Sequence, residues 1–158
     1  MDGPGLDCPV ALGKSGVIDA ADKREGDRKT PAGRYGFRQI FWRPDRMQTP
    51  ITRLPGCALQ PDFGWCDDPG DPAYNRWVRL PFGRSHERLW REDGLYDLIL
   101  VIGHNDDPVV PGLGSAVFVH CARGDLGPTQ GCVALKKRDL VRLVRAATTQ
   151  DWIDIRPR

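Results

Sequence analysis

Turn-forming residues set the first limit on what this chain can fold into. Its 158 residues include 18 glycines and 14 prolines, scattered along the sequence rather than gathered in a linker. Proline breaks helices and central strands, and glycine weakens either. The spacing that remains suits short strands joined by many turns. Hydrophobic residues make up 40% and charged residues 28%, the balance of a soluble globular domain. That length suits one domain, residues 1–158, with a core that needs no metal or disulfide staple. A net charge of +2 excludes a strongly basic nucleic-acid surface, so no nucleic-acid partner is expected. No stretch is long and apolar enough to span a membrane. The N-terminal segment MDGPGLDCPVALGKSG lacks the basic start and apolar run of a signal peptide.

Residues 9–20 read as two short strands around the turn GKSG, and Asp22 to Gly33, ending in Thr-Pro-Ala-Gly, as a loop. RYGFRQIFW (34–42) alternates as a strand does. From Arg43 to Pro81 the prolines and turn residues predict a long surface region. Leu95 to Asn105 is the strongest candidate for a buried strand. Ser115 to Cys121 is the next, with Ala116, Phe118 and His120 on one face and Val117, Val119 and Cys121 on the other. KKRDLVRLVRAA carries Leu140, Leu143 and Val144 as a helical stripe, and DWIDIR closes as a strand. The expected class is mainly β, with one helix packed after the Gly-Cys turn.

The cysteines stand at positions 8, 57, 66, 121 and 132, an odd number with no Cys-x-x-Cys. A structural zinc site is not expected. A disulfide framework is not expected either, though a single Cys8–Cys66 or Cys57–Cys66 bridge stays open.

One segment brings together groups that can do chemistry. His120 ends a predicted strand, and the glycine- and proline-containing loop after it can return Cys132 to the imidazole. A thiol acts as a nucleophile once deprotonated, and an imidazole, nearby cations or a helix N-terminus favour that state. Lys136, Lys137 and the start of the helix lie just beyond Cys132. Gly131 lets the backbone close around a substrate, and the amides near Gly131 and Cys132 can donate to a developing oxyanion. Cys121 points away from its neighbour His120, so its side chain is not the partner. Its backbone carbonyl can orient the ring through Nδ1–H.

His120 followed by Gly131-Cys132-Val-Ala-Leu, with KTPAGRYGF upstream, resembles the YkuD-type L,D-transpeptidase catalytic domain. The segments KREGDRKTPAG, GWCDDP, AYN and the run ending in SAVFVH resemble a proteobacterial subgroup of it, so the likeness covers nearly the whole chain. The resemblance implies a β-sandwich or barrel-like fold and acyl transfer on peptidoglycan stem peptides. Cys132 is then the nucleophile and His120 the base, with no metal and a monomer expected. It also implies covalent capture by carbapenems and work in the periplasm or cell envelope. Water in place of an amine acceptor would give a carboxypeptidase, and a free D-amino acid would give exchange. Two positions depart from the family pattern: Gln130 stands where a histidine usually precedes Gly-Cys, and Ala134 where an arginine usually follows. They are the support for a rival reading, a non-catalytic peptidoglycan-binding domain.

Around this pair, Arg123 is a candidate to meet a substrate carboxylate, and Thr129, Tyr74 and His104 are further candidates for the substrate site. Gln130 is a candidate orienting group. Trp65 and Trp90 stay open between groove and core. Thr30, Pro31 and Gly33 are expected to set a turn, and Glu87, Arg91, Glu92 and Asp93 to form an ion-pair network. A sortase-like enzyme is disfavoured, because the arginines after Cys132 (Arg138, Arg142, Arg145) fall on the predicted helix. A peptidase of the NlpC/P60 type places its cysteine before its histidine.

Overall fold

The computed structural model describes residues 6–157. Residues 1–5 and 158 of the expected domain, including the start of the segment weighed as a signal peptide, lie outside the described residues. Strands make up 32% of the chain, arranged in two sheets with one α-helix.

The larger sheet has eight strands. These are β1 (Val10–Ala11), β2 (Val17–Asp19), β3 (Thr30–Trp42), β4 (Gly56–Ala58), β8 (Leu98–Ile102), β9 (Phe118–Cys121), β10 (Val133–Leu135) and β11 (Trp152–Ile155). The smaller sheet holds β5 (Phe63–Cys66), β6 (Trp77–Arg79) and β7 (His86–Arg88), and the helix α1 spans Lys137–Ala146. The main path through the large sheet runs β1-β10-β9-β8-β3-β11, with β2 and β4 also pairing to β3.

β8 reads Leu-Ile-Leu-Val-Ile without a polar position because both of its faces are covered. Leu98, Leu100 and Ile102 point into one core with Val119 and Cys121 of β9 and Leu140 and Val144 of α1. Ile99 and Val101 point into the other, with Phe118 of β9 and Phe63 and Trp65 of β5. The large sheet is thus the middle layer, with α1 on one side and the small sheet on the other. The chain folds as a mainly β sandwich with one helix, as expected. No helix among the described residues is long and apolar enough to cross a membrane.

Three expectations need correction. Thr-Pro-Ala-Gly is not a loop but the first turn-free stretch of β3, where Thr30, Pro31 and Ala32 pair in parallel with Val17, Ile18 and Asp19. The strand expected from Ser115 begins at Phe118, because Ala116 takes a left-handed backbone with φ of 52°. The stretch from Arg43 to Pro81 is not surface decoration. Its strands are only three or four residues long, but Leu59, Phe63 and Trp65 are buried in the second core, and Cys66 is buried as well. Trp65 is therefore core, while Trp90 lies under the guanidinium of buried Arg43, 3.7 Å from ring centroid to carbon. All five cysteines are free, so neither candidate bridge forms.

Candidate active site

The parallel pairing of β9 and β10 places His120 opposite Ala134. Side chains alternate along a strand, so Cys132, two residues before Ala134, lies on the face that His120 uses. Cys132 packs in the core toward the small sheet, whereas Val133 and Leu135 pack toward the helix. The two residues line one cleft of about 390 Å³, together with Lys23, Glu87, Arg91 and Arg123.

Cys132 is 9% exposed. Its thiol donates to the Ala116 carbonyl at 3.2 Å, and the Phe118 N–H donates to its sulfur at 3.4 Å. Burial, and next the charge of Glu87, push this thiol up to about 12, against the weaker pull of Phe118 N–H, Lys23 and Arg91. The Cys132 side chain is therefore a neutral thiol at neutral pH. The helix expected to activate it lies on the other side of the sheet, with Leu140 and Val144 in the core shared by Val119 and Cys121. Lys137 pairs there with Asp97 at 2.9 Å.

His120 is 6% exposed, and its Nδ1 lies 2.9 Å from the Cys121 carbonyl oxygen. A carbonyl only accepts, so Nδ1 carries the proton and Nε2 keeps its lone pair. Burial holds the imidazole below its usual range, so it is neutral at neutral pH. The Tyr96 ring packs edge-on to the imidazole with centroids 5.4 Å apart. The Tyr96 hydroxyl in turn bonds to the Glu87 carboxylate, and Arg91 stands 3.7 Å from Glu87. The Cys121 side chain faces the helix-side core, where burial pushes its thiol up to about 11.

The turn before Cys132 is fixed by two threonines. Thr129 Oγ1 donates to the Cys132 carbonyl at 2.7 Å and accepts from the Gly131 N–H at 3.1 Å. Thr30, also buried, donates to the same carbonyl at 3.3 Å and accepts from Gly13 N–H at 2.8 Å. Thr30 is therefore a brace for the cysteine rather than a turn residue. Gly131 has φ of 133°, and a Cβ there would sit 3.0 Å from the Lys29 carbonyl oxygen, so both conformation and space require glycine.

The chain matches the YkuD family, the L,D-transpeptidase catalytic domain, over residues 2–155. The chain belongs to this family. No curated protein and no solved structure matches it.

Within this YkuD domain the two departures from the family pattern have clear positions. Gln130 is exposed on the cleft wall. Ala134 is buried opposite His120 in the β9–β10 pairing, and it carries no charge into the cleft. The positive charge of the cleft comes from other elements, Lys23 and Arg28 before β3, Arg91 after β7 and Arg123 after β9. Arg123 lines this cleft. Two other expected substrate contacts do not line this cleft. Tyr74 is buried behind it, its hydroxyl bonded to Glu25 and accepting from Gly114 N–H at 3.1 Å. His104 is buried with Nε2 at 2.9 Å from the Leu113 carbonyl, beside a separate hollow of about 420 Å³. Of the expected network, Arg91 pairs with Glu87 and Asp93, whereas Glu92 pairs with Arg43 and Arg46; the network is not merely surface, since Glu87 and Arg91 reach the cleft. Lys23 and Tyr96 were not singled out from the sequence. Among the described residues no three His, Cys, Asp or Glu side chains gather as a metal site.

Glu87 gives this cleft a testable electrostatic feature. Its carboxylate disfavours a second negative charge on Cys132. Glu87→Gln removes that charge, and the amide can still accept the Tyr96 hydroxyl. The pH profile for alkylation of Cys132 is expected to move to lower pH, with faster alkylation at neutral pH. An unmoved profile, followed by peptide mapping, would mean that the carboxylate does not act on the sulfur.

Proposed function

We propose that this domain is a peptidoglycan L,D-transpeptidase that works through a Cys132 thioester. The observation that carries the reading is the placement of Cys132, just before β10, and His120 of the adjacent β9 on one face of the sheet, in one cleft of a YkuD domain.

The chemistry follows from the resting protonation states. Cys132 attacks the carbonyl that follows an L-centre in a diaminopimelate-containing stem peptide. As the C–S bond forms, the thiol proton passes to Nε2 of His120, and the carbonyl electrons move onto oxygen. The Gly131 amide is already engaged by Thr129, which leaves the Cys132 amide as the backbone donor for that oxygen. Collapse breaks the C–N bond, and His120 returns the proton to the leaving amine, so a terminal D-amino acid departs. The amine of a second stem attacks the thioester, forms the new C–N bond and releases the thiol. The Cys121 carbonyl stabilises the imidazolium through Nδ1–H between these transfers. Arg123 and Gln130, both on the cleft wall, are the groups we assign to substrate carboxylates and amides. Thr129 acts through the Cys132 backbone rather than on substrate. The donor and acceptor stem peptides are the partners, which places the activity at the cell wall.

Incubation with a carbapenem tests this reading. The protein is expected to gain the mass of one inhibitor, located on Cys132 by peptide mapping. No adduct, or an adduct on Cys121, would overturn it.

A further inference from the structure

Asn75, in the segment Ala-Tyr-Asn, has no place in the cleft, yet it is 7% exposed and makes four side-chain hydrogen bonds. Its Oδ1 accepts from Trp65 Nε1–H at 2.9 Å and from the Ala116 N–H at 3.1 Å. Its Nδ2 donates to the carbonyls of His104 at 3.1 Å and Asn105 at 2.8 Å. Donors meet only acceptors and acceptors only donors, so the orientation of the amide is fixed and its capacity is filled. The backbone of Asn75 is left-handed, with φ of 56°, a conformation that asparagine tolerates better than most residues.

The bond to Ala116 is the one that bears on chemistry. Ala116 has φ of 52°, which an alanine adopts only where its surroundings impose it. That bend turns the Ala116 carbonyl toward Cys132 and leads into Phe118, whose N–H meets the same sulfur. The segment Ala116–Phe118 thus holds the thiol from both sides, one contact accepting its proton and one donating to its lone pair. The far end of the segment continues into β9 and His120.

We propose that Asn75 is a positioning residue for the nucleophile: it pins Ala116 in its bent conformation and thereby sets the Cys132 sulfur relative to His120. Trp65, donating to the same oxygen, fixes Asn75 against the second core. This assignment rests on Cys132 being the nucleophile, and it adds a residue that touches neither substrate nor sulfur.

Two variants separate positioning from stability. Asn75→Gly keeps the left-handed turn and deletes the amide. Asn75→Asp keeps the acceptor that meets Ala116 and loses both donors to the His104 and Asn105 carbonyls. Carbapenem acylation of Cys132 and iodoacetamide alkylation mapped to Cys132 are followed as second-order rates per folded protein, with Tm measured alongside. Acylation of Asn75→Gly is expected to fall on the order of a hundredfold, because catalytic groups misplaced by about 1 Å lose that much. Asn75→Asp is expected to lose Tm and yet stay near the native acylation rate, and the glycine variant, which adds no charge, is expected to change its alkylation pH profile. Native acylation rates in folded Asn75→Gly would overturn the proposal. So would an Asn75→Asp protein that loses acylation in step with Tm, and that variant decides alone if the glycine variant does not fold. Failure of the native protein to acylate would instead count against Cys132 as the nucleophile, and the alkylation profile would still test the hold on its sulfur.

Discussion

Cys132→Ala is expected to lose covalent capture of carbapenem and all turnover of stem peptides, while the fold persists. The thiol makes two contacts, with the Ala116 carbonyl and the Phe118 N–H, and alanine loses both. Losing a neutral hydrogen bond of this kind costs about 1 kcal/mol. The braces on the backbone, Thr30 and Thr129 on the Cys132 carbonyl, do not involve the sulfur and remain. The variant should therefore show a small loss of Tm and no adduct in intact mass. The other four thiols do not substitute. Cys121 faces the helix-side core, and Cys8, Cys57 and Cys66 do not line the cleft. Any residual acylation above background would show that another residue attacks.

His120→Gln is expected to carry the second-largest effect, a loss of about 10²–10⁴-fold in acylation at neutral pH. With the thiol pushed up to about 12, only on the order of one Cys132 in 10⁵ is thiolate at pH 7 without a base. The imidazole makes the reaction possible by accepting the proton as the C–S bond forms. The sign of the pH dependence follows from its own state. Burial lowers His120, and only the neutral ring accepts a proton, so native acylation falls as pH drops through a midpoint below 6.5. In His120→Gln that acid limb is expected to vanish, and the remaining rate to climb with pH toward the titration of the thiol. Rates measured from pH 5 to 10 distinguish the two proteins. An acid limb that survives in the variant would assign the base elsewhere, Glu87 being a carboxylate on the same cleft wall.

The pair itself was legible because both of its signals are local. Strand alternation separates His120 from Cys121, and the structure puts Val119 and Cys121 in one core and Phe118 in the other. A glycine before a cysteine marks a tight backbone, and Gly131 does hold a conformation that excludes a side chain. What failed was inference from nearness along the chain. Lys136 and Lys137 follow Cys132 closely, but the three residues of β10 carry the chain across the edge of the layer, and α1 packs behind the sheet. Lys23, Glu87 and Arg91, which do line the cleft, come from segments distant in sequence, where no spacing marks them. The region from Arg43 to Pro81 misled for a related reason. Strands of three or four residues are too short for alternation to show, and β5 is buried on every position, so no polar face announces it. Asn75 carried no signal beyond the segment that holds it, since its role depends on a left-handed turn and on four partners from Trp65 to Ala116.

Purified diaminopimelate-containing muropeptides, mixed with the protein and followed by mass spectrometry, test the central claim most directly. The expected result is a transient stem-peptide thioester on Cys132, release of the terminal D-amino acid and a cross-linked dimer that accumulates with time. Unchanged muropeptides and an unmodified Cys132 would contradict the claim and leave a peptidoglycan-binding domain with an idle thiol.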